Sequence, residues 1–88
     1  MIKDKAEEIA QWIASWIANE VNIEKKEVDH TELFVTFGLG SRQSVILAAD
    51  IESRYNIEID AAVAWSYPTI RQLSEHIADI LKSEAHGT

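Results

Sequence analysis

One short stretch decides how this chain is interpreted: Phe37-Gly38-Leu39-Gly40-Ser41, which ends a long irregular segment and leads into an amphipathic helix. A serine that follows a glycine at a helix start usually serves only as a cap. Three features favour a functional role for Ser41. A long loop brings it to the surface, the two glycines leave little bulk beside its hydroxyl, and the helix N-terminus offers free backbone donors. A phosphate-linked group on this serine would therefore lie in a favourable field.

The helix that opens at Ser41 is predicted to extend to about Tyr55, with Asn56 as its stop. Its core face is expected to carry the following residues, with Leu47 at the edge: Val45, Ala48, Ile51, Glu52 and Tyr55. Before it, residues 24–40 show no sustained period and mix polar with apolar side chains. We interpret them as an ordered loop, which at this length is uncommon in a small domain and usually functional.

A first helix is predicted ahead of that loop, because side chains of one face recur there at intervals of three and four. The recurring positions are apolar except the last: Ile2, Ala6, Ile9, Ile13, Trp16, Ile17 and Glu20. After the second helix, Ile57 and Ile59 alternate with acids. One short run cannot form a sheet alone, so we expect a connector whose isoleucines fill the core. A short third helix is predicted at about residues 61–66.

The last helix has the clearest start. Thr69 with Gln72 fits a capping box, and Pro68 disfavours helix before it. An apolar stripe follows at Ile70, Leu73, Ile77, Ile80 and Leu81, whereas residues 85–88 are expected to fray. The predicted fold class is therefore all-α: a small bundle of three main helices and one short helix, with a long loop between helices one and two. We expect a single domain over residues 1–88, with its core at about residues 3–82.

The composition excludes several classes of function. The formal net charge of −7 disfavours nucleic acid, and the absence of cysteine excludes disulfides and thiolate metal sites. No signal peptide or membrane-length apolar run is visible, so we expect a soluble cytoplasmic protein with no membrane contact. The three histidines lack ligand spacing, and no nucleophile elbow surrounds Ser41. We therefore predict no metal site and no catalytic residue.

Two segments together, Phe37-Gly38-Leu39-Gly40-Ser41 and Trp65-Ser66-Tyr67-Pro68-Thr69-Ile70, resemble the acyl carrier protein family. Its signature is Gly-x-Asp-Ser-Leu, with a Pro-Thr dipeptide ahead of the last helix. The resemblance covers nearly the whole chain and implies a non-catalytic carrier of acyl thioesters, with 4′-phosphopantetheine on Ser41. The second segment, with Ala49-Asp50-Ile51-Glu52 upstream, looks most like carriers of polyketide and lipopeptide pathways, which fatty-acyl-AMP ligases often load.

The resemblance also implies partners. A phosphopantetheinyl transferase would add the arm, an acyl-AMP ligase or other loading enzyme would charge it, and ketosynthase or condensation partners would receive the acyl group. We expect the carrier itself to be a monomer. The candidate docking residues surround the attachment point: Leu39, Gly40, Arg42, Ile46, Ala49 and Glu52.

Three positions depart from the family pattern. Gly40 replaces the usual aspartate before the serine, Arg42 replaces an apolar residue, and Ile46 stands where the family often has an acid. Glycine is an acceptable cap, so we expect the fold to survive. Arg42 is expected either to pair with the phosphate or to be solvated. The alternative function is a helical interaction module that kept the carrier fold but is no longer modified.

Overall fold

The computed structural model describes residues 4–86, with side chains described for residues 4–83. Within the described residues, four α-helices follow one another: α1 (Lys5–Val21), α2 (Ser41–Tyr55), α3 (Val63–Ser66) and α4 (Ile70–His86). Within residues 4–86, the extended backbone pairs only once, in an isolated antiparallel bridge between Leu33 and Thr69. The predicted all-α class, with three main helices and a short one, is confirmed.

One apolar cluster holds the helices together. Its large aliphatic side chains with at most 1% exposure come from α1, α2 and α4: Ile9, Ile13, Ile17, Leu47, Ile51, Ile70, Leu73 and Ile77. Full burial of one such side chain contributes about 1.5–3 kcal/mol. The interior therefore holds these predicted stripe positions of α1 and α4: Ile9, Ile13, Ile17, Ile70, Leu73 and Ile77. They confirm the helix register inferred from the sequence for both helices.

The predicted core face of α2 is wrong at Val45. That side chain is 51% exposed, and the buried face is formed by Ser44, Leu47, Ala48 and Ile51. At about 100° per residue, Val45 lies roughly 160° around the helix from Leu47, so the two cannot share a face. The polar Ser44 is tolerated inside because its hydroxyl donates a hydrogen bond to the carbonyl oxygen of Gly40 at 3.0 Å.

Two predictions for α1 also need correction. Glu20, placed on the apolar stripe, is exposed, and Trp16 is only partly buried against the core. The indole of Trp16 cannot be fully buried without a partner for its N–H, and it reaches the carboxylate of Asp50 on α2. Ile2, the first predicted stripe position, lies outside the described residues.

The long segment between α1 and α2 is more regular than predicted, because it contains two 3₁₀ helices at Lys25–Glu27 and Phe34–Phe37. Its buried side chains are Val28, Phe34 and Leu39. Its backbone is also attached to the start of α4. The Phe34 N–H donates to the Pro68 carbonyl at 2.8 Å, and the Arg71 N–H donates to the His30 carbonyl at 3.0 Å. These bonds hold the loop in one place.

The connector between α2 and α3 behaves as predicted. α2 stops at Asn56, which caps it in the left-handed conformation (φ 55°). Ile57 is buried and Ile59 packs partly buried against the core. The Ile59 N–H donates to the Glu52 carboxylate at 2.9 Å, which gives that half-buried acid a structural role. Two isoleucines and one acid thus fix the approach to α3.

The start of α4 shows a variant of the predicted capping box. The Thr69 hydroxyl accepts a hydrogen bond from the Gln72 N–H and donates one to Gln72 Oε1, both at 3.1 Å. The glutamine side chain therefore closes onto the threonine hydroxyl rather than onto its backbone. α4 continues to His86, so fraying was wrongly predicted for residues 85–86. Gly87 and Thr88 lie outside the described residues.

Candidate functional site

Ser41 is the first residue of α2 and is exposed. Gly40 before it is the N-cap, with extended backbone (φ −92°, ψ −173°) and no side-chain capping bond. The first N–H groups of a helix have no partner within the helix. Those of Ser41, Arg42 and Gln43 are therefore free to bind an acceptor, at the positive end of the helix dipole.

The chain reaches this position through a tight turn. Gly38 adopts a positive φ of 87°, a conformation that glycine tolerates best, and closes the second 3₁₀ helix. Leu39 then points into the core and is only 5% exposed. Leu39, which was predicted as a docking residue, therefore exposes little surface of its own. Its role is to anchor the loop so that Gly40 and Ser41 emerge at the surface.

Gly40 is held in place by α2 itself. Gln43 Oε1 accepts a hydrogen bond from the Gly40 N–H at 3.1 Å, and the Gly40 carbonyl accepts from both the N–H and the hydroxyl of Ser44 at 3.0 Å. Gln43 thus supplies half of a capping box without a side chain at residue 40. A Cβ atom added to Gly40 would meet only Gln43 Oε1, at an ordinary 3.4 Å. A Cβ atom, such as that of the family's aspartate, therefore fits at this position.

The surroundings of Ser41 favour an anion, and the described histidines lie elsewhere. The first turn of α2 contains no acid, and the exposed Arg42 adds a positive charge. The described histidine side chains are engaged elsewhere. His76 stacks on Tyr67 with ring centroids 4.0 Å apart, and His30 lines a polar pocket beside Arg71. No Ser-His pair is therefore formed at Ser41 in the part of the chain whose side chains are described.

Three of the predicted docking residues lie on one outward-facing stripe of α2. Arg42, Ile46 and Ala49 are all exposed, Ile46 by 43%. With Val45 they occupy positions i, i+3, i+4 and i+7, which share one side of a helix. We call these four residues the outer stripe. Sequence reasoning missed Val45 because its spacing also fits a core position.

Glu52, the acid among the predicted docking residues, continues the line of Val45 and Ala49 along α2 but differs from them in its contacts. It is half-buried and bound to the backbone of Ile59. Gly40 is exposed beside Ser41. Gly40 and Arg42 thus flank Ser41, whereas Ile46 and Ala49 lie further along the exposed side of α2. Leu39 is buried in the core, and Glu52 binds the connector.

Besides the outer stripe, the structure shows a second group of exposed apolar side chains, which was not predicted from the sequence. Leu33, Val35 and Trp65 are 46%, 67% and 65% exposed, and all three line a cleft of about 110 Å³. We call them the apolar cap. Further walls of the cleft come from Phe34, Leu39, Ser44, Ala64 and Pro68. The available signal was the run of large apolar residues in an irregular loop, not all of which can enter a small core.

Residues 4–86 offer neither a membrane span nor a metal centre. No helix in this range has the length and apolarity needed to cross a membrane. No group of three or more histidine or acidic side chains described there is arranged to hold a metal ion.

Known proteins resemble this chain over most of its length. The family described as "Phosphopantetheine attachment site" matches residues 11–77. The acyl carrier protein TtuC of Teredinibacter turnerae is 33% identical over 73 residues, which cover 83% of this chain and 84% of that protein. One subunit of the phenolphthiocerol/phthiocerol polyketide synthase of Mycobacterium tuberculosis is 28% identical over 71 residues. The match covers 81% of this chain but spans only 4% of that protein's length.

A solved structure shares the fold closely. The HMG-ACPI domain from the CurA module of Lyngbya majuscula superposes with a TM-score of 0.83 at 29% identity, and the match covers 97% of this chain and 91% of that domain. Family, sequence relatives and fold agree with the exposed serine at a helix start that is capped by a glycine. The chain therefore belongs to the phosphopantetheine-attachment family as an acyl-carrier-type domain that bears a covalent 4′-phosphopantetheine group.

Proposed function

We propose that Ser41 is the attachment point of 4′-phosphopantetheine and that the chain carries acyl intermediates as thioesters on that arm. The pathway would be polyketide, lipopeptide or other fatty-acid-derived biosynthesis. The observation that supports this most directly is the exposure of Ser41 at the start of α2, where no side chain caps the first N–H groups. The arm supplies the thiol that this cysteine-free chain lacks.

The residues around Ser41 fit a phosphodiester. The free N–H groups of the first turn can donate to phosphate oxygens, and the helix dipole favours the negative charge. Arg42 is close enough in sequence to add a charge-assisted hydrogen bond. Gly38 and Gly40 leave the approach to the hydroxyl unobstructed. The chain thus offers donors that bind the phosphate and an accessible Ser41 hydroxyl, which is what modification by a separate enzyme requires.

Attachment needs an external catalyst. The Ser41 oxygen forms a bond to the phosphorus of coenzyme A that carries the pantetheine, while the bond from that phosphorus to the nucleotide phosphate breaks. The hydroxyl proton passes to a base of the transferase, since Ser41 has no histidine or acid bonded to it among the described side chains. The carrier therefore acts as a substrate and not as an enzyme.

The partners follow from this role. A phosphopantetheinyl transferase modifies Ser41, an acyl-AMP ligase or another loading enzyme charges the arm, and ketosynthase or condensation partners accept the acyl group. A flexible tether raises the effective concentration of the cargo at each of these enzymes. We place the carrier in the cytoplasm as a monomer. Docking at α2 uses its outer stripe, where apolar contact outweighs charge.

The second candidate is an unmodified helical interaction module, which the departures at Gly40 and Arg42 favour. The hydrogen bonds around Gly40 weaken the argument from that departure. Gln43 and Ser44 hold the glycine in the capping position, so the missing aspartate leaves the start of α2 ordered. Arg42 also adds favourable charge for a phosphate rather than obstructing the serine.

Mass spectrometry after incubation with coenzyme A and a broad-specificity phosphopantetheinyl transferase tests the proposal. The wild-type chain should gain one phosphopantetheine. Ser41→Ala should gain none while its helical circular dichroism stays nearly unchanged. Ser53→Ala is the matched control, because Ser53 is exposed on the same helix, and it should be modified normally. A mass gain that persists in Ser41→Ala overturns the assignment, and no gain in the wild type favours the interaction module.

A further inference from the structure

Arg42, the second residue of α2, carries a charge that no described side chain neutralises. Its side chain is exposed, and the first turn of α2 contains no acid. Among the side chains of residues 4–83, no carboxylate lies within ion-pair distance of Arg42. Arg54, the other arginine of α2, lies over the Tyr55 ring instead. An exposed arginine without a partner is ordinary in itself, so its position decides what it binds.

That position is beside the attachment point. In a helix every Cα–Cβ bond tilts toward the N-terminus, so a side chain covers the surface that lies ahead of its own Cα atom. For Arg42 this surface is the start of α2, at Gly40 and Ser41. Gly40 contributes no side chain there, and the N–H groups of the first turn are free. A phosphodiester on Ser41 would therefore be the nearest anion to the Arg42 guanidinium.

The departures from the family pattern at Gly40 and Arg42 act together. A Cβ atom fits at residue 40, so an aspartate there would bring a carboxylate close to the guanidinium of Arg42. That carboxylate would compete with the phosphodiester for the arginine. With glycine at residue 40 the competition is absent, and the planar donors of arginine match two phosphate oxygens at once. The glycine thus leaves the arginine free for the phosphate.

Arg42 also lies on a definite side of Ser41. At about 100° per residue, it is about 100° around α2 from Ser41, on the outer stripe. Ser44 lies about 60° around in the other direction and lines the cleft beside the apolar cap. Two paths therefore lead away from the Ser41 hydroxyl, one over the outer stripe and one toward the cleft. A bond between Arg42 and the phosphate favours the first path.

We propose that Arg42 binds the phosphodiester of the arm on Ser41 and thereby holds the root of the arm on the outer-stripe side of α2. The proposal rests on the assignment of Ser41 as the attachment point. Arg42 contacts the phosphate and not the thioester at the far end of the arm. The arm then leaves the protein past Val45 and Ile46. An enzyme that docks on the outer stripe therefore meets the arm on the same side of the carrier.

Nuclear magnetic resonance of the carrier before and after modification with coenzyme A tests the path of the arm. Attachment should shift the guanidinium Nε–H signal of Arg42 and the amide signals of Val45 and Ile46, and should leave the indole N–H signal of Trp65 nearly unchanged. In Arg42→Gln the shifts of the two amides should largely disappear, and the ³¹P signal of the phosphodiester should move. Arg42→Lys should restore part of both, because the charge is kept. Arg54→Gln is the matched control, since it removes the same charge from the other end of α2 and should behave as the wild type.

A second pair of variants tests the competition at residue 40. In Gly40→Asp the Arg42 Nε–H signal should respond much less to attachment of the arm, whereas Gly40→Asn, which has nearly the same shape without the charge, should keep the full response. Equal responses in the two variants overturn the proposal. So do an unchanged ³¹P signal in Arg42→Gln and a shift of Trp65 in place of Val45 and Ile46. Failure of the Ser41 assignment is separate, because the wild type would then gain no mass and show no ³¹P signal.

Discussion

The indole N–H of Trp16 donates a hydrogen bond to Asp50 Oδ2 at 2.7 Å and so joins α1 to α2. One turn earlier on α1, Trp12 meets Tyr55 edge to face, with ring centroids 6.0 Å apart. A step of four residues back along α1 thus corresponds to five residues forward along α2, so the helices run antiparallel. Two tryptophans therefore fix the register of the helix that presents Ser41.

Removal of the indole N–H should weaken this link. We expect Trp16→Phe to lower the free energy of unfolding by about 0.5–1.5 kcal/mol, the net value of a hydrogen bond. Asp50→Ala should remove the same interaction, so the double variant should be less destabilised than the sum of the single variants. Urea unfolding measures all three. Strict additivity would show that the hydrogen bond contributes nothing in solution.

The corrected face of α2 predicts a contrast between core and surface. Leu73→Ala or Ile77→Ala should cost about 2–5 kcal/mol, because each side chain is completely buried. Val45→Ala should cost less than about 0.5 kcal/mol, since Val45 is half exposed. Denaturant unfolding distinguishes the two outcomes. A cost below about 0.5 kcal/mol for Leu73→Ala would mean that α4 packs in a different register.

Apolar contact at the outer stripe predicts how α2 is recognised. Ile46→Glu should slow loading of the modified carrier by its ligase or synthase more than Glu52→Gln does. The amide oxygen introduced by Glu52→Gln can still accept the hydrogen bond from the Ile59 N–H, so the connector is preserved. Raised salt should slow loading only modestly, since it screens exposed charge pairs and not apolar burial. Normal loading of Ile46→Glu together with a collapse of the rate in salt would show that charge governs docking.

The two glycines before Ser41 should respond differently to substitution. Gly40→Asp has room for its Cβ atom and should stabilise the fold by about a few tenths of a kcal/mol while raising the rate of modification. Gly38→Ala should destabilise by about 1 kcal/mol because of the positive φ at Gly38, although nothing obstructs the added Cβ atom. Thermal unfolding and transferase rates provide the measurements. Equal stability of the two variants would contradict the inference that the positive φ at Gly38 disfavours a side chain there.

The turn at Asp29 predicts an acid-sensitive loop. Hydrogen bonds from the Thr31 N–H and hydroxyl, both 2.8 Å, lower the pKa of Asp29 below its usual 3.8, and the charges of His30 and Arg71 add to this. Because the pKa of Asp29 is lower in the folded than in the unfolded chain, its ionised carboxylate stabilises the fold at pH values above the unfolded pKa. That stabilisation is lost as the pH falls through the folded pKa. The Asp29 carboxyl should titrate below 3.8 by nuclear magnetic resonance. In Thr31→Val the midpoint should move up towards 3.8; a wild-type midpoint at or above 3.8 would refute the bonded turn.

The helices were predictable because periodicity and stop signals agree locally. The bounds of α2 match the structure, since Gly40 precedes its start and Asn56 ends it in the left-handed conformation. Burial on α2 was less predictable. Its sequence is apolar on two sides, and periodicity alone cannot tell which side meets the core. The spacing of Val45 fits either side, so the outer stripe could be recognised only in part.

The loop and the cap depended on tertiary contacts that no local pattern encodes. Backbone bonds from Phe34 to Pro68 and from Arg71 to His30 join residues far apart in sequence. Sequence reasoning identified the loop as functional and Ser41 as its endpoint, but not which apolar side chains stay outside. The sequence singled out Trp65 only as part of a motif. Its exposure could not be predicted, because it depends on the position of the four-residue helix α3.

The attachment of the loop to α4 has a consequence for how this scaffold can diverge. Both anchoring bonds use only main-chain atoms, at Phe34 and Pro68 and at His30 and Arg71. Exposed side chains of the loop, such as Val35, can therefore be exchanged without releasing the segment. New surface chemistry can arise beside the serine while the serine keeps its place, so the loop can serve as a variable region for directing one carrier to a new set of enzymes.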